Sequence, residues 1–120
     1  MPYRAPVKDI RFILDHVVGF AEAAATKHFA EATPDLAGAI LDEAGRISTD
    51  ILAPLNRMGD KHPARLENGA VVSSPGFADG YQAIASGGWV GMAASPAHGG
   101  MGLPISLALG VDDMMSGACL

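Results

Sequence analysis

Apolar residues in the first half of the chain recur at helical spacing. Ile10, Ile13, Leu14, Val17 and Val18 fall at i, i+3, i+4, i+7 and i+8, which predicts a first helix from Lys8 that Gly19 ends. The alanine-rich stretch from Glu22 to about Ala32 has high helix propensity but a thin apolar face, Phe20, Ala24 and Phe29. Thr33-Pro34-Asp35 is a start signal: a capping hydroxyl, a proline where no N–H is needed, and a carboxylate near the positive end of the helix dipole. The helix that follows is expected to reach about Leu52 and to stop before Ala53-Pro54. Leu36, Ile40, Ala44, Ile47 and Ile51 form its expected core stripe, with Leu41 and Leu55 flanking. On its other face Asp42 and Arg46, and Arg46 and Asp50, stand at i, i+4, the spacing of solvated ion pairs.

Helical periodicity lapses over residues 53–74, where Asn56, Gly59, Pro63 and Ser73-Ser74 read as loop. Asn68-Gly69 between Arg65-Leu66 and Val71-Val72 permits a tiny hairpin with a type I′ turn. Ser74-Pro75 opens a short helix with Phe77, Tyr81 and Ile84 along one side. Residues 87–104 contain no Asp, Glu, Lys or Arg, and carry Gly87, Gly88, Gly91, Gly99, Gly100 and Gly102 together with Trp89 and two prolines. Glycine admits left-handed backbone and close chain contact, whereas a flexible linker would favour serine over Trp89, Met92 and Leu103. This stretch therefore reads as a shaped, tightly packed connection. From Pro104 a last helix presents Leu107, Val111, Met114, Met115 and Ala118 on an apolar face, and the pattern is still helical at Leu120. The fold class read from these elements is all-α: a helical bundle with at most a tiny hairpin near 65–72. Its expected organisation is an arm and helices over 1–33, then a helical unit over 34–120 that ends inside a helix.

Charge sharpens this picture. All eight basic residues lie between Arg4 and Arg65, and beyond Arg65 only Glu67, Asp79, Asp112 and Asp113 are charged. So uncharged a half-chain implies burial against something, either the first half or further protein. A net charge of −5 with no basic cluster excludes a nucleic-acid footprint. The 120 residues suit one domain with a real core, and 49% hydrophobic content argues against disorder. Cys119 is the single cysteine, so no internal disulfide forms and a cytoplasmic location is expected. Gly80–Val111 is long and uncharged, but Pro96, Pro104, Gln82, His98 and the glycines interrupt it, so no membrane span is expected.

The candidate chemistry is sparse. His16, His28, His62 and His98 belong to no HExxH motif, and one cysteine excludes cysteine-based zinc sites. His28 and Glu31 stand three apart without the further ligands a carboxylate-bridged metal site needs. His98, beside Gly99, is a loop residue placed to meet a ligand, and the reading favoured over that is a ring packed on the loop backbone. No lysine follows Lys61, which removes a P-loop, and Ile105 stands where the GxGxxG fingerprint after Gly100-Met101-Gly102 needs glycine. No GxSxG elbow occurs around Ser86 or Ser95.

Three segments together carry a resemblance: AGRISTDILAPLNRMGD (44–60), SPGFADGYQAIASGGWVGM (74–92) and SPAHGGMGLP (95–104). In this order and spacing the chain resembles the amino-terminal helical domain of the flavin-dependent acyl-CoA dehydrogenases. The opening MPYRAPVKDIRFIL is similar to a longer bacterial subgroup of that family, the methylthiopropionyl-CoA dehydrogenase-like enzymes. The resemblance implies α,β-dehydrogenation of an acyl-CoA thioester in the full-length enzyme, with FAD as hydride acceptor. It also implies that the catalytic glutamate and most flavin contacts lie in later domains. None of Glu22, Glu31, Glu43 and Glu67 matches that base, so no catalytic, cofactor-binding or metal residue is assigned here. His98 and Met101 depart from the family loop, where an aromatic and a glutamine or small residue are common. The implied partners are the remaining dehydrogenase domains, the acyl-CoA substrate and, for the whole enzyme, further copies of itself. By itself the chain is expected to be inactive and to hold no FAD tightly. The same pattern also fits a free-standing helical interaction or dimerisation module without catalysis.

Overall fold

The computed structural model describes residues 2–120, and two helices make its centre. Helix α1 (Val7–Ile13) runs on through a π turn, Leu14–Val18, into α2 (Phe20–Ala24). Gly19 separates them at φ 70, a left-handed conformation that glycine adopts without a Cβ clash. After a 3-10 turn at Lys27–Phe29 comes α3 (Pro34–Ile47). Thr33 caps α3 as its sequence predicts, its hydroxyl accepting the Leu36 N–H at 3.2 Å. A second π turn, Ser48–Leu52, leads directly into α4 (Ala53–Lys61). Strands β1 (Arg65–Glu67) and β2 (Ala70–Val72) form an antiparallel hairpin with Glu67 opposite Ala70. Asn68 and Gly69 both have positive φ, 51 and 79, as a type I′ turn requires. Helix α5 (Phe77–Ser86), two 3-10 turns at Trp89–Gly91 and Pro96–His98, and α6 (Ile105–Ala118) complete the chain. The expected all-α architecture with one small hairpin holds.

The core lies between α3 and α6, with α1 laid across both. Leu41, Leu107, Val111 and Met114 are almost wholly buried there. Removing a side chain such as Leu107 from water contributes about 1.5–3 kcal/mol. Small residues set the spacing. A β-carbon at Gly110 would lie 2.8 Å from the Ile10 side chain, and one at Gly45 would lie 2.5 Å from that of Val7. The N-terminal arm is tied down by the Tyr3 hydroxyl donating to the Met114 carbonyl at 2.8 Å and by the Ala5 N–H donating to the Thr49 hydroxyl at 3.3 Å.

Several expectations are corrected. Pro54 does not end the helix: the Ala53 N–H reaches back five residues to the Ser48 carbonyl, and α4 starts anew with Pro54 in its first turn, where its missing N–H leaves no bond unmade. Residues 53–61 are therefore helix, not loop. The buried stripe of α3 is Ala37, Leu41, Ala44 and Ile47, while Leu36 is exposed and Ile40 only half-buried. On the first helix Ile10 and Leu14 face the core, but Ile13, Val17 and Val18 face out. The alanine-rich helix stops at Ala24, and Pro104 is the residue before α6 rather than its first. Gly76, not Ser74, occupies the position before α5, and Tyr81 is exposed because α5 packs through Gly80 against Leu55 and Leu52. The surface pairs also differ from expectation: Arg46 bonds Glu43, and Asp42 receives Arg11 at 2.8 Å, an exposed pair of small energetic value.

Candidate functional site

The glycine-rich connection folds back on itself through its own backbone. The N–H groups of Met101, Gly102 and Leu103 donate to the carbonyls of Gly91, Ala94 and Met92 at 3.0, 2.9 and 2.9 Å. Those of Gly99 and Gly100 donate to Pro96 and Ser95, both at 3.1 Å. At Gly100 the chain closes so tightly that a β-carbon would lie 2.6 Å from the Ala94 methyl carbon and nearer still to the Ala94 carbonyl. Engaged in this way, these N–H groups are not free to cradle a phosphate. Met92 and Leu103 anchor the connection in the core, with Trp89 packed against it.

Two grooves flank the connection, with Met101 and Leu103 forming part of both walls. One, of about 560 Å³, is bounded by Phe29, Ser95, Pro96 and Ile105, with His28 and Glu31 at its edge. The other, of about 520 Å³, lies between Leu36 and Ile40 on one side and Trp89 on the other, with Glu31 and Glu43 at its edge. Their chemistry is that of apolar walls. The Ser95 hydroxyl is engaged as acceptor of the Ala97 N–H at 3.3 Å, and Glu43 is held by Arg46 through two bonds of 2.9 and 2.7 Å. That contact holds the Glu43 carboxyl below its ordinary range and raises the Arg46 guanidinium. His98 ends a 3-10 turn in an exposed position, with its N–H on the Ser95 carbonyl at 2.9 Å.

A third, polar groove of about 960 Å³ opens between the N-terminal arm, α4 and the last turn of α6. Thr49, Asn56, Arg57 and Asp60 line it beside Tyr3. Burial first, and the charge of Asp113 second, raise the Tyr3 phenol above its ordinary range. Sequence reasoning missed this groove because it treated residues 53–61 as loop. The signal was present: positions 49, 53, 56, 57 and 60 share a helix face once the helix continues past Pro54. A fourth hollow, between α4, α5 and the end of α6, holds the half-buried Cys119, whose thiol pKa burial pushes up. Among the described residues no three His, Cys, Asp or Glu side chains gather to hold a metal ion. No described helix is long and apolar enough to cross a membrane.

No family model matches the chain. Over 118 residues, 98% of its length, it is 36% identical to a 3-methylmercaptopropionyl-CoA dehydrogenase of Ruegeria pomeroyi. The matched region is 20% of that protein, so the chain spans about a fifth of the relative's length. The resemblance to acyl-CoA dehydrogenases read from residues 44–104 is borne out.

Proposed function

We propose that the chain serves as the amino-terminal helical domain of a flavin-dependent acyl-CoA dehydrogenase and works together with the enzyme's remaining domains. The observation that carries this reading is the identity of 36% sustained over 98% of the chain against a dehydrogenase of which it spans 20%. Shape supports it. The radius of gyration is 16.3 Å, whereas a compact free-standing domain of this length has about 14 Å. With a smallest extent of 17 Å, the domain is a slab with room for a single buried layer. Apolar side chains such as Val90, Ile105 and Leu109 consequently remain on its outside.

In the complete enzyme the slab acts as a wall. Its apolar grooves and helix faces orient neighbouring domains and keep water from the acyl site, while the base and the flavin contacts come from elsewhere in the polypeptide. A short-chain acyl-CoA thioester, of the kind named for the Ruegeria relative, is the proposed substrate class of that whole enzyme. Purified alone, the chain is expected to retain no stoichiometric FAD and to give no dye-coupled acyl-CoA oxidation. Visible flavin absorbance at one equivalent together with turnover by the chain alone would overturn the reading.

A further inference from the structure

Arg57 and Asp60 stand three residues apart on α4 and both are exposed, yet neither enters an ion pair among the described residues. Glu43 and Arg46 have the same spacing on α3 and do pair, through bonds of 2.9 and 2.7 Å. The order of the charges differs: an acid one turn before a base runs with the helix dipole, and a base before an acid runs against it. A guanidinium and a carboxylate are thereby left side by side and unpaired in the groove of about 960 Å³ between the N-terminal arm, α4 and the end of α6.

Among the described residues that line this groove, Arg57 is the one cation and Asp60 the one anion. Asn56 adds an amide with two N–H donors beside Arg57. Thr49 accepts the Ala5 N–H at 3.3 Å and keeps its own O–H as a donor. Ala53, Pro54, Gly117 and Ala118 make the remaining surface small and apolar. The opposite wall is fixed in place, since the Tyr3 hydroxyl donates to the Met114 carbonyl at 2.8 Å, so the groove is formed before anything enters it.

We propose that this groove binds a small zwitterion of the ω-amino acid class, its carboxylate on Arg57 and Asn56 and its ammonium on Asp60. The planar guanidinium matches a carboxylate bidentately, and the methylene spacer lies over the small apolar residues. Three residues rise about 4.5 Å along a helix, so charges about 5 Å apart, as in 4-aminobutanoate, meet both groups. A plain carboxylate is repelled by Asp60 and a plain amine by Arg57, so the groove selects the dipole over either single ion. Both contacts stay partly in water, which sets the dissociation constant on the order of 1 mM. This site goes beyond the dehydrogenase reading and does not rest on it.

Heteronuclear NMR of the isotope-labelled 120-residue chain, titrated with 4-aminobutanoate, tests it, with butanoate and butylamine as single-charge comparators and melting as the check of folding. The Asn56 side-chain amide and the Arg57 Nε–H signals are expected to shift and saturate, with each comparator about tenfold weaker. R57Q and D60N should each weaken the zwitterion by about tenfold and leave the melt unchanged. If either variant fails to fold, the three ligands compared on the parent chain decide. Shifts that do not saturate below about 50 mM overturn the proposal. So does butanoate binding as tightly as 4-aminobutanoate, which would make the groove a plain anion site, or zwitterion binding undiminished in folded R57Q or D60N.

Discussion

Replacing Gly100 with alanine should be among the most damaging single-methyl additions in the connection, and Gly99 beside it supplies the control. Gly99 has φ +81 with nothing within 4 Å of a new β-carbon, so Gly99→Ala meets only left-handed strain, about 1–2 kcal/mol. At Gly100 the added carbon lies 2.6 Å from the Ala94 Cβ and closer to the Ala94 carbonyl, inside the 3.0 Å that real Cβ atoms respect. Backbone, not a flexible side-chain tip, must yield. Yielding strains the Gly102 to Ala94 bond of 2.9 Å and the Gly100 to Ser95 bond of 3.1 Å. Overpacking contributes about 1–3 kcal/mol and each lost bond about 1 kcal/mol, so Gly100→Ala should cost roughly 3–5 kcal/mol. Urea unfolding followed by circular dichroism measures both variants, read as shifts in midpoint at equal slope. A Gly100→Ala protein within about 0.5 kcal/mol of the parent, or one more stable than Gly99→Ala, would refute the reading of the loop as a close-packed element.

Ser48 is fully buried with its hydroxyl unpartnered, so Ser48→Ala should leave stability unchanged or raise it by about 1 kcal/mol, and a loss of more than about that size in the same urea assay would contradict the burial described. Tyr3 is kept neutral in the fold, its pKa raised by burial and then by Asp113, so its contribution is present below the ordinary tyrosine pKa and is lost as pH rises through the higher folded value. Tyr3→Phe should lower stability by about 1 kcal/mol near neutrality, through the lost bond to Met114, and should flatten the alkaline fall in melting temperature; an alkaline fall equal to the parent's would sink the assignment.

Much of the fold could be read from local chemistry. Thr33-Pro34 marks a helix start through a hydroxyl that really accepts an N–H, and Asn68-Gly69 marks a turn because both residues tolerate positive φ. The apolar face of α6 was legible residue by residue: Leu107, Val111, Met114, Met115 and Ala118 are all buried, while Ile105 and Leu109 face out. On α3 the large residues mislead. Ala37, Ala44 and Gly45 allow α1 and α6 to approach closely, so the interface forms where side chains are small, and Leu36 and Ile40 are left toward the groove against Trp89. A reading weighted by hydrophobicity ranks those positions in the wrong order. Pro54 misleads for another reason: helix periodicity assumes one turn width, and the wider turn at Ser48–Leu52 is a backbone choice with no side-chain signature. The polar groove of Asn56, Arg57 and Asp60 was hidden by that one error.

The wide turn at Ser48–Leu52 also makes the chain sensitive to length in a way that composition does not reveal. It accommodates one residue more than a regular helix would, so deleting a single residue within it leaves a regular turn there and sets Pro54, which has no N–H, inside the helix. The larger effect falls further along the chain. Everything downstream would rotate by about 100° about the helix axis, turning Leu52 and Leu55 away from Gly80 and swinging α5 off its seat. The extra residue is thus a phase setting, and the position of the whole second half depends on it.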